Sequence, residues 1–324
     1  KNLKIYFNRP TKHQAWGGGS HFITNLHSFL KDKMDVVFEY TEDVDLIFMF
    51  DPRRDNKFLG IQDMIEIKNE RNIPIIQRIN DTDIARHAYG LSPHDPPWRE
   101  KTFLYANQFV DHTVFVSNWV KSHYENLGYK CNGRGETVII NGCNEKYFYP
   151  NEKRKNNEKL KIITHHWSNN LMKGADVYIA LDHLLSQRDD IEFTYLGRYP
   201  EANYVPKFTN LISPKYGQEV GDILRDHDVY VTGSRFEACG MHFIEAACCG
   251  LPVMYHKDGG SSPEVCRSFG KEFDSVETLV AAIDYYKQEN NRNDAIQHIN
   301  YDQLKQKRCN NEYLQVIMKL IKER

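Results

Sequence analysis

The densest run of chemistry-bearing residues is Ser234-Arg235-Phe236-Glu237-Ala238-Cys239-Gly240-Met241-His242-Phe243-Ile244-Glu245. It follows the strand-like Val229 to Thr232, bends through a loop and enters a helical pattern near Gly240. A helix N-terminus presents unpaired backbone N–H groups and about half a positive charge, so an anion such as a diphosphate is favoured there. Glu237 lies just before that point and Glu245 about a turn inside the helix. Ionised carboxylates accept hydrogen bonds from hydroxyls, so two of them around a phosphate pocket suit a hydroxyl-rich ligand. On spacing alone, a helix-capping glutamate followed by a solvated one explains the pair equally well.

Two further groups stand in the first half. Trp16-Gly17-Gly18-Gly19-Ser20-His21 precedes a helical stretch, and its glycines permit positive φ and close approach to a ligand. A dinucleotide fingerprint fits poorly, although Glu39 lies about 20 residues beyond, where a ribose-binding acid would sit. The glycines begin ten residues after Phe7 instead of directly after the first strand, and Phe22 stands where the third glycine belongs. Arg78-Ile79-Asn80-Asp81-Thr82-Asp83 ends a buried-looking strand, and Asp81 with Asp83 has the spacing of a pair that holds a divalent ion on a diphosphate. His13, His21 and His27 show no ligand spacing. His165-His166-Trp167 ends another strand, where imidazole or aromatic contact with a ligand is expected.

The elements that must hold these groups alternate in one rhythm. Strand-like runs occur at Leu3 to Phe7, Val36 to Tyr40, Leu46 to Phe50, Ile73 to Ile79, Thr113 to Val116 and Thr137 to Ile140, with helical patterns at 20–31, 61–71, 98–109 and 118–127 between them. Asn151 to Glu158 is charged and free of apolar residues, a linker composition. The rhythm then restarts, with strands at Leu160 to Thr164, Ile191 to Leu196, Val229 to Thr232 and Pro252 to Tyr255 and helices at 173–187, 217–226, 241–249 and 275–288. This alternation predicts an α/β protein of two doubly wound, Rossmann-like domains facing a cleft, with ligands at the carboxyl ends of parallel strands. The expected boundaries are 1–150, a linker at 151–158, 159–305, and a C-terminal segment 306–324 that packs back toward the first domain.

Composition narrows the classes of function. A length of 324 residues, 40% of them hydrophobic, supports two self-sufficient cores. A net charge of −2 provides no basic field for nucleic acid. Apolar runs fall far short of the ~20 residues of a spanning helix, and no signal-peptide pattern opens the chain, so a cytoplasmic protein is expected. Seven cysteines without CxxC or framework spacing read as reduced thiols.

Residue by residue, the Glu237 to Glu245 segment resembles the signature of retaining glycosyltransferases of family 4, which have the GT-B fold. The resemblance continues through Ala246-Ala247-Cys248-Cys249-Gly250-Leu251-Pro252-Val253, Gly259-Gly260 and Pro263-Glu264-Val265. It extends backward to Val114-Phe115-Val116-Ser117-Asn118-Trp119, to Val138-Ile139-Ile140-Asn141-Gly142 and to Tyr147-Phe148-Tyr149-Pro150. The block Thr164 to Asn170 with Met172-Lys173-Gly174 is similar to a branch found in envelope-polysaccharide and large-virus enzymes.

The resemblance implies roles. Glu237 would bind the donor sugar, Glu245 the ribose, and the backbone of Ala238, Cys239, Gly240 and Met241 the diphosphate. Lys173 would neutralise the departing phosphate. The arginine that the family pairs with that lysine is replaced by Ser168, Asn169 and Asn170, which makes Arg198 after Gly197, or Arg235, the expected substitute. Gly17, Gly18 and Gly19 would approach the donor phosphates, Asn80 or Asp81 would stand in for a sugar-contacting histidine, and segments near Gly197 to Tyr199 and Ser213 would hold the base. The implied reaction is metal-independent transfer of a sugar from a nucleotide-diphosphate donor to a glycan or glycoconjugate hydroxyl, without cofactor. Family frequency favours mannose from GDP-mannose. A homodimer is compatible with the resemblance. The rival readings are a GT-B epimerase or phosphorylase, an inactive nucleotide- or glycan-binding protein, and a dehydrogenase.

Overall fold

The structure, a computed structural model, describes residues 2–12, 18–90, 98–152, 157–200 and 203–323. The chain divides into two compact units, one of residues 1–140 and 307–324, the other of residues 141–306. Each unit is built on a six-stranded, wholly parallel sheet.

The first sheet comprises β1 (Lys4–Phe7), β2 (Asp35–Val37), β3 (Leu46–Met49), β4 (Ile75–Ile79), β5 (His112–Phe115) and β6 (Gly135–Val138), in the order β2-β1-β3-β4-β5-β6. Every residue of β3, β4 and β5 is buried, as expected of strands covered by helices on both faces. Alternate residues serve the two faces. Ile5, Phe7, Leu46, Phe48 and Ile76 point into one core, and Tyr6, Ile47, Met49 and Ile75 into the other. The first core also takes Phe22, Ile23 and Leu26 of the helix Gly18–Leu30, and Tyr313, Val316, Ile317 and Leu320 of the helix Gln306–Lys322. Tyr313 is fully buried, with its ring 4.9 Å from Phe22 and its hydroxyl accepting from Arg78 Nε at 3.1 Å.

The second sheet comprises β7 (Leu160–His166), β8 (Ile191–Gly197), β9 (Asn210–Ile212), β10 (Val229–Thr232), β11 (Val253–His256) and β12 (Gly270–Phe273), in the order β12-β11-β10-β7-β8-β9. Neighbours β10 and β7 carry the chain outward in opposite directions. A crevice therefore opens at their carboxyl ends, where ligands of doubly wound sheets bind.

Several expectations shift. Strands β9 and β12 escaped the sequence reading because they are edge strands, only three and four residues long and largely exposed. The helix expected from residue 173 begins at Ala175, after a 3₁₀ turn Leu171–Lys173. Residues 141–150 belong to the second unit, so the division falls at Ile140 and not after Pro150. There Cys143 pairs with the returning chain, its N–H donating to Leu304 O at 2.8 Å while Gln306 N–H donates to Cys143 O at 2.7 Å. Four residues of the expected linker, 153–156, lie outside the described residues. The reading of every cysteine as a thiol is corrected at one pair. Cys143 and Cys248 form a disulfide, and Cys131, Cys239, Cys249, Cys266 and Cys309 take part in none. Their separation of 105 residues gives no sequence spacing that would announce it.

Replacing Tyr313 by Ala opens a cavity beside Phe22 and Phe48 and removes a partner of buried Arg78. It is expected to destabilise the first unit by about 3–5 kcal/mol, read as a shift of the urea midpoint. A loss below about 1 kcal/mol would show that the C-terminal helix does not complete that core.

Candidate functional site

The carboxyl end of β10 continues as Gly233-Ser234-Arg235, and the turn that follows β7 brings Lys173 and Gly174 against it. Gly174 has φ +103°, and a Cβ there would sit 2.4 Å from the Gly233 carbonyl carbon. A side chain on Gly233 would collide in turn with Val177 Cβ at 2.8 Å. Only glycine at both positions lets the two backbones touch, and their contact delivers the lysine to the loop after β10. Arg235 N–H donating to Met172 O at 2.9 Å fastens the same junction.

Lys173 Nζ lies 2.5 Å from Glu237 Oε1, and Ser234 Oγ donates to the same oxygen at 2.5 Å. Both side chains of the pair are mostly buried, 18% and 13% exposed. Burial works against the Glu237 charge, but the Lys173 ammonium, His242 and the two hydrogen bonds outweigh it and hold the carboxyl at about 2. Among the described residues no contact falls on Oε2. One oxygen thus anchors the glutamate while the other carries no such bond.

The backbone at Glu237 is held under strain. Phe236 adopts φ +53°, a conformation that costs a non-glycine residue on the order of 1 kcal/mol or more. Hydrogen bonds to the glycine turn after β11 maintain it: Phe236 N–H to Asp258 O at 2.8 Å, Glu237 N–H to Gly259 O at 3.2 Å, and Ser261 N–H to Glu237 O at 2.8 Å. Gly260, at φ +71°, has no room for a Cβ, which would meet Glu237 O at 2.4 Å.

Gly240 is the N-cap of the helix Met241–Cys248 and offers no capping side chain, so its first-turn N–H groups face the loop. Asn141 Nδ2 donates to Cys239 O at 3.0 Å and fixes the approach to that helix. On the helix, Glu245 Oε2 meets His165 Nε2 at 2.7 Å. His242 Nε2 meets Thr232 Oγ1 at 2.8 Å, and His166 Nε2 meets the Tyr178 hydroxyl at 2.6 Å. Burial drives His242 down to about 3, Glu237 opposing and Lys173 reinforcing the shift, and burial likewise lowers His166 well below 6.5. The expectation that His165 and His166 contact ligand is therefore corrected. At 1% and 3% exposure they form, with His242, a buried layer beneath the site.

The remaining expected residues divide. Ala238, Cys239 and Met241 are half-buried beside Gly240. Arg235 reaches Asp176 at 2.7 Å and the Gly233 carbonyl. Arg198 is exposed at the end of β8 and donates to Trp167 O at 2.6 Å. Gly197, at φ +121°, packs against His166 O. Ser168 accepts from Asn170 N–H at 3.3 Å, Asn169 is half-buried beside it, and Ser213 is exposed after β9. In the first unit, Gly18 and Gly19 open the helix Gly18–Leu30, while Gly17 lies outside the described residues. Asn80 is half-buried after β4, and Asp81 is paired with Arg86 at 3.0 Å and with Arg99. Asp83 is buried and caps the helix Trp98–Asn107 by accepting Arg99 and Glu100 N–H groups, both at 3.0 Å. Asp81 is thus engaged by arginines and one Asp83 oxygen by the helix start, and the described residues hold no cluster of three His, Cys, Asp or Glu placed to hold a metal. Ser234, Asn141, Thr232 and Tyr230 lie in segments singled out from the sequence, without an individual role assigned to them there. Ser234 alone had a local signal, a hydroxyl three residues before Glu237.

Residues 148–303 match the family model described as glycosyl transferases group 1. The phosphatidylinositol N-acetylglucosaminyltransferase GPI3 subunit of Saccharomyces cerevisiae is 26% identical over 194 residues, 55% of this chain and 42% of that protein. Its counterpart in Schizosaccharomyces pombe is 26% identical, covering 57% of this chain and 44% of that protein. The chain thus spans under half the length of these curated relatives. Among solved structures, Anabaena HepE in complex with UDP-glucose superposes with a TM-score of 0.71 at 11% identity, covering 98% of this chain and all of that one. WaaG, a glycosyltransferase involved in lipopolysaccharide biosynthesis, gives 0.66 at 13% identity, covering 97% and 99%. These likenesses establish the fold as GT-B, an α/β architecture of two Rossmann-like domains.

The buried histidines make stability depend on pH. His242 titrates near 3 in the folded chain against an ordinary 6.5, so below 6.5 the unfolded chain takes up a proton that the folded state refuses. Stability therefore falls on acidification, by about 1.4 kcal/mol per pH unit for each such group. Between about pH 6.5 and 5, above the range where Glu237 contributes, His242→Gln is expected to flatten the slope by that amount in urea titrations; an unchanged slope would place His242 in water.

Proposed function

We propose that the chain is a glycosyltransferase that moves a sugar from a nucleoside-diphosphate donor to a hydroxyl of a glycan or glycoconjugate. The observation that carries this reading is the Lys173–Glu237 pair at the carboxyl ends of β7 and β10, with the helix start at Gly240 beside it. The match of residues 148–303 to glycosyl transferases group 1 and the GT-B fold support it.

In the proposed reaction, cleavage of the anomeric C–O bond leaves an electron pair, and hence negative charge, on the departing diphosphate and positive charge on the sugar. Lys173 and the Gly240 helix start stabilise the first in fixed geometry. Glu237, ionised throughout the physiological range, positions the ring through Oε2 and offsets the second. Glu245 takes the ribose. With no side chain assigned as a covalent nucleophile, the acceptor hydroxyl oxygen forms the new C–O bond on the leaving-group side, with retention, as its proton passes to the departing phosphate oxygen, and this division of labour needs no divalent metal. Arg198 or Arg235 adds the charge that Ser168 and Asn169 do not supply.

GDP-mannose is the donor expected from family frequency. The curated relatives' names specify N-acetylglucosamine, which makes a UDP-sugar the second reading. Calorimetric titration of GDP-mannose, UDP-glucose and UDP-N-acetylglucosamine separates them, since heat with a UDP-sugar alone overturns mannose.

Lys173→Ala and Glu237→Ala are each expected to lower turnover about 10²-fold or more, measured as acceptor-dependent release of nucleoside diphosphate. Near-normal turnover in either variant removes it from the mechanism. Activity in excess EDTA should stay within about twofold of the untreated enzyme if fixed cations do the work of a metal. Nuclear magnetic resonance of the product's anomeric proton should show the donor's configuration, and inversion would refute the attack geometry.

A further inference from the structure

The layer beneath the site contains one arrangement that the proposed reaction does not use. His165, 1% exposed at the end of β7, stands between two groups from different elements: Glu245 on the helix after Gly240 and Tyr230 on β10. Its Nε2 lies 2.7 Å from Glu245 Oε2, and its Nδ1 lies 3.1 Å from the Tyr230 hydroxyl. A carboxylate only accepts, so the neutral ring must carry its proton on Nε2 and donate it to Glu245. Nδ1 is then an acceptor for the Tyr230 O–H, which lies at 3.1 Å from it and at 3.3 Å from the His165 carbonyl oxygen. The same hydroxyl accepts His165's own backbone N–H at 3.1 Å, so the tyrosine fixes ring and main chain together. Tyr230 is fully buried and cannot exchange this role for water.

The consequence falls on Glu245. Its side chain is 15% exposed, Oε2 is taken by His165, and among the described residues no contact falls on Oε1. We infer that His165 is a positioning residue whose Nε2–H clamps Glu245 so that Oε1 is presented to ribose hydroxyls, making the site select ribonucleoside over deoxyribonucleoside diphosphates. This rests on the reading of Glu245 as the ribose carboxylate. Without the clamp the carboxylate swings among rotamers, and ordering it on binding costs affinity for the hydroxyls alone. Contacts to base and diphosphate come from other residues and are untouched.

The test uses UDP, GDP and their 2′,3′-dideoxy counterparts, titrated calorimetrically into the full chain. In the wild type the ribonucleotide should bind about tenfold or more tightly than its dideoxy partner, the range for hydrogen bonds to a charged group. His165→Leu, which removes the donor, should bring this ratio close to one while leaving dideoxy affinity as in the wild type. His165→Gln places an amide N–H where Nε2 stood and should restore most of the ratio. Tyr230→Phe, which frees the ring but keeps its packing, should fall between. A wild-type ratio in His165→Leu overturns the inference, as does an equal loss of ribo and dideoxy affinity, which would mark a packing role. A wild type that binds neither UDP nor GDP overturns the transferase reading and this inference together. Loss of the ratio in Glu245→Gln but not in His165→Leu keeps the former and defeats the latter.

Discussion

A lysine and a glutamate buried against each other 2.5 Å apart form the constraint on which the second unit is organised. Taking two charges out of water costs several kcal/mol per ion, and their attraction repays this only in good geometry with the remaining hydrogen-bond capacity satisfied. The structure meets that demand from both sides. The Gly174–Gly233 contact sets where Lys173 stands, and the Phe236 strain, locked by the 258–261 turn, sets where Glu237 stands. Neither device improves the core, and each is explained by the need to hold a charge in one place.

Below that pair the chain uses imidazoles and hydroxyls where a doubly wound sheet ordinarily places valine or isoleucine. His165, His166 and His242 are buried on elements that meet only there, with ring centroids 4.7 Å apart for His166 and His242. Being neutral, His166 and His242 add no charge that would compete with Lys173 for an anion. Being hydrogen-bonded to Tyr178 and Thr232, they avoid the penalty of unpaired burial. A packed apolar layer would stabilise as well, but it could not orient a carboxylate above it.

Legibility follows the range of the interactions. Glu237, Glu245 and the helix start at Gly240 were readable because their relation is local, a matter of spacing within one segment. The alternation of strands and helices was readable for the same reason, down to the buried runs β3, β4, β5, β10 and β11. What escaped was either marginal in pattern or non-local. Strands β9 and β12 are short, largely exposed edges with too few residues for an alternation to detect. His165 with Glu245, Asn141 with Cys239, and Cys143 with Cys248 are separated by 80, 98 and 105 residues, and only the sheet order brings them together. Asp81 and Asp83 illustrate the converse. Their spacing suggested a metal, while the fold commits them to arginines and to a helix cap.

The same charges limit what the site can bind. A chain of net charge −2 has no general field for anions, and its site cations already have partners: Lys173 has Glu237, and Arg235 has Asp176. A bare phosphate entering there must draw Lys173 away from an ionised carboxylate and gains little overall. A ligand that brings diphosphate and hydroxyls together changes the balance. On the proposed reading its phosphate would share the lysine while its sugar met Glu237 Oε2, so neither charge would be left unpaired. In the proposed reaction, lengthening of the anomeric bond would build negative charge on the phosphate side and shift the lysine's interaction toward it, which would be stabilisation realised in the transition state more than in the ground state. A lysine already pinned by the opposite charge is in this sense better placed than a free one. On the proposed reading its ground-state grip on the donor would be moderated by Glu237, and its full attraction expressed as the leaving group departs.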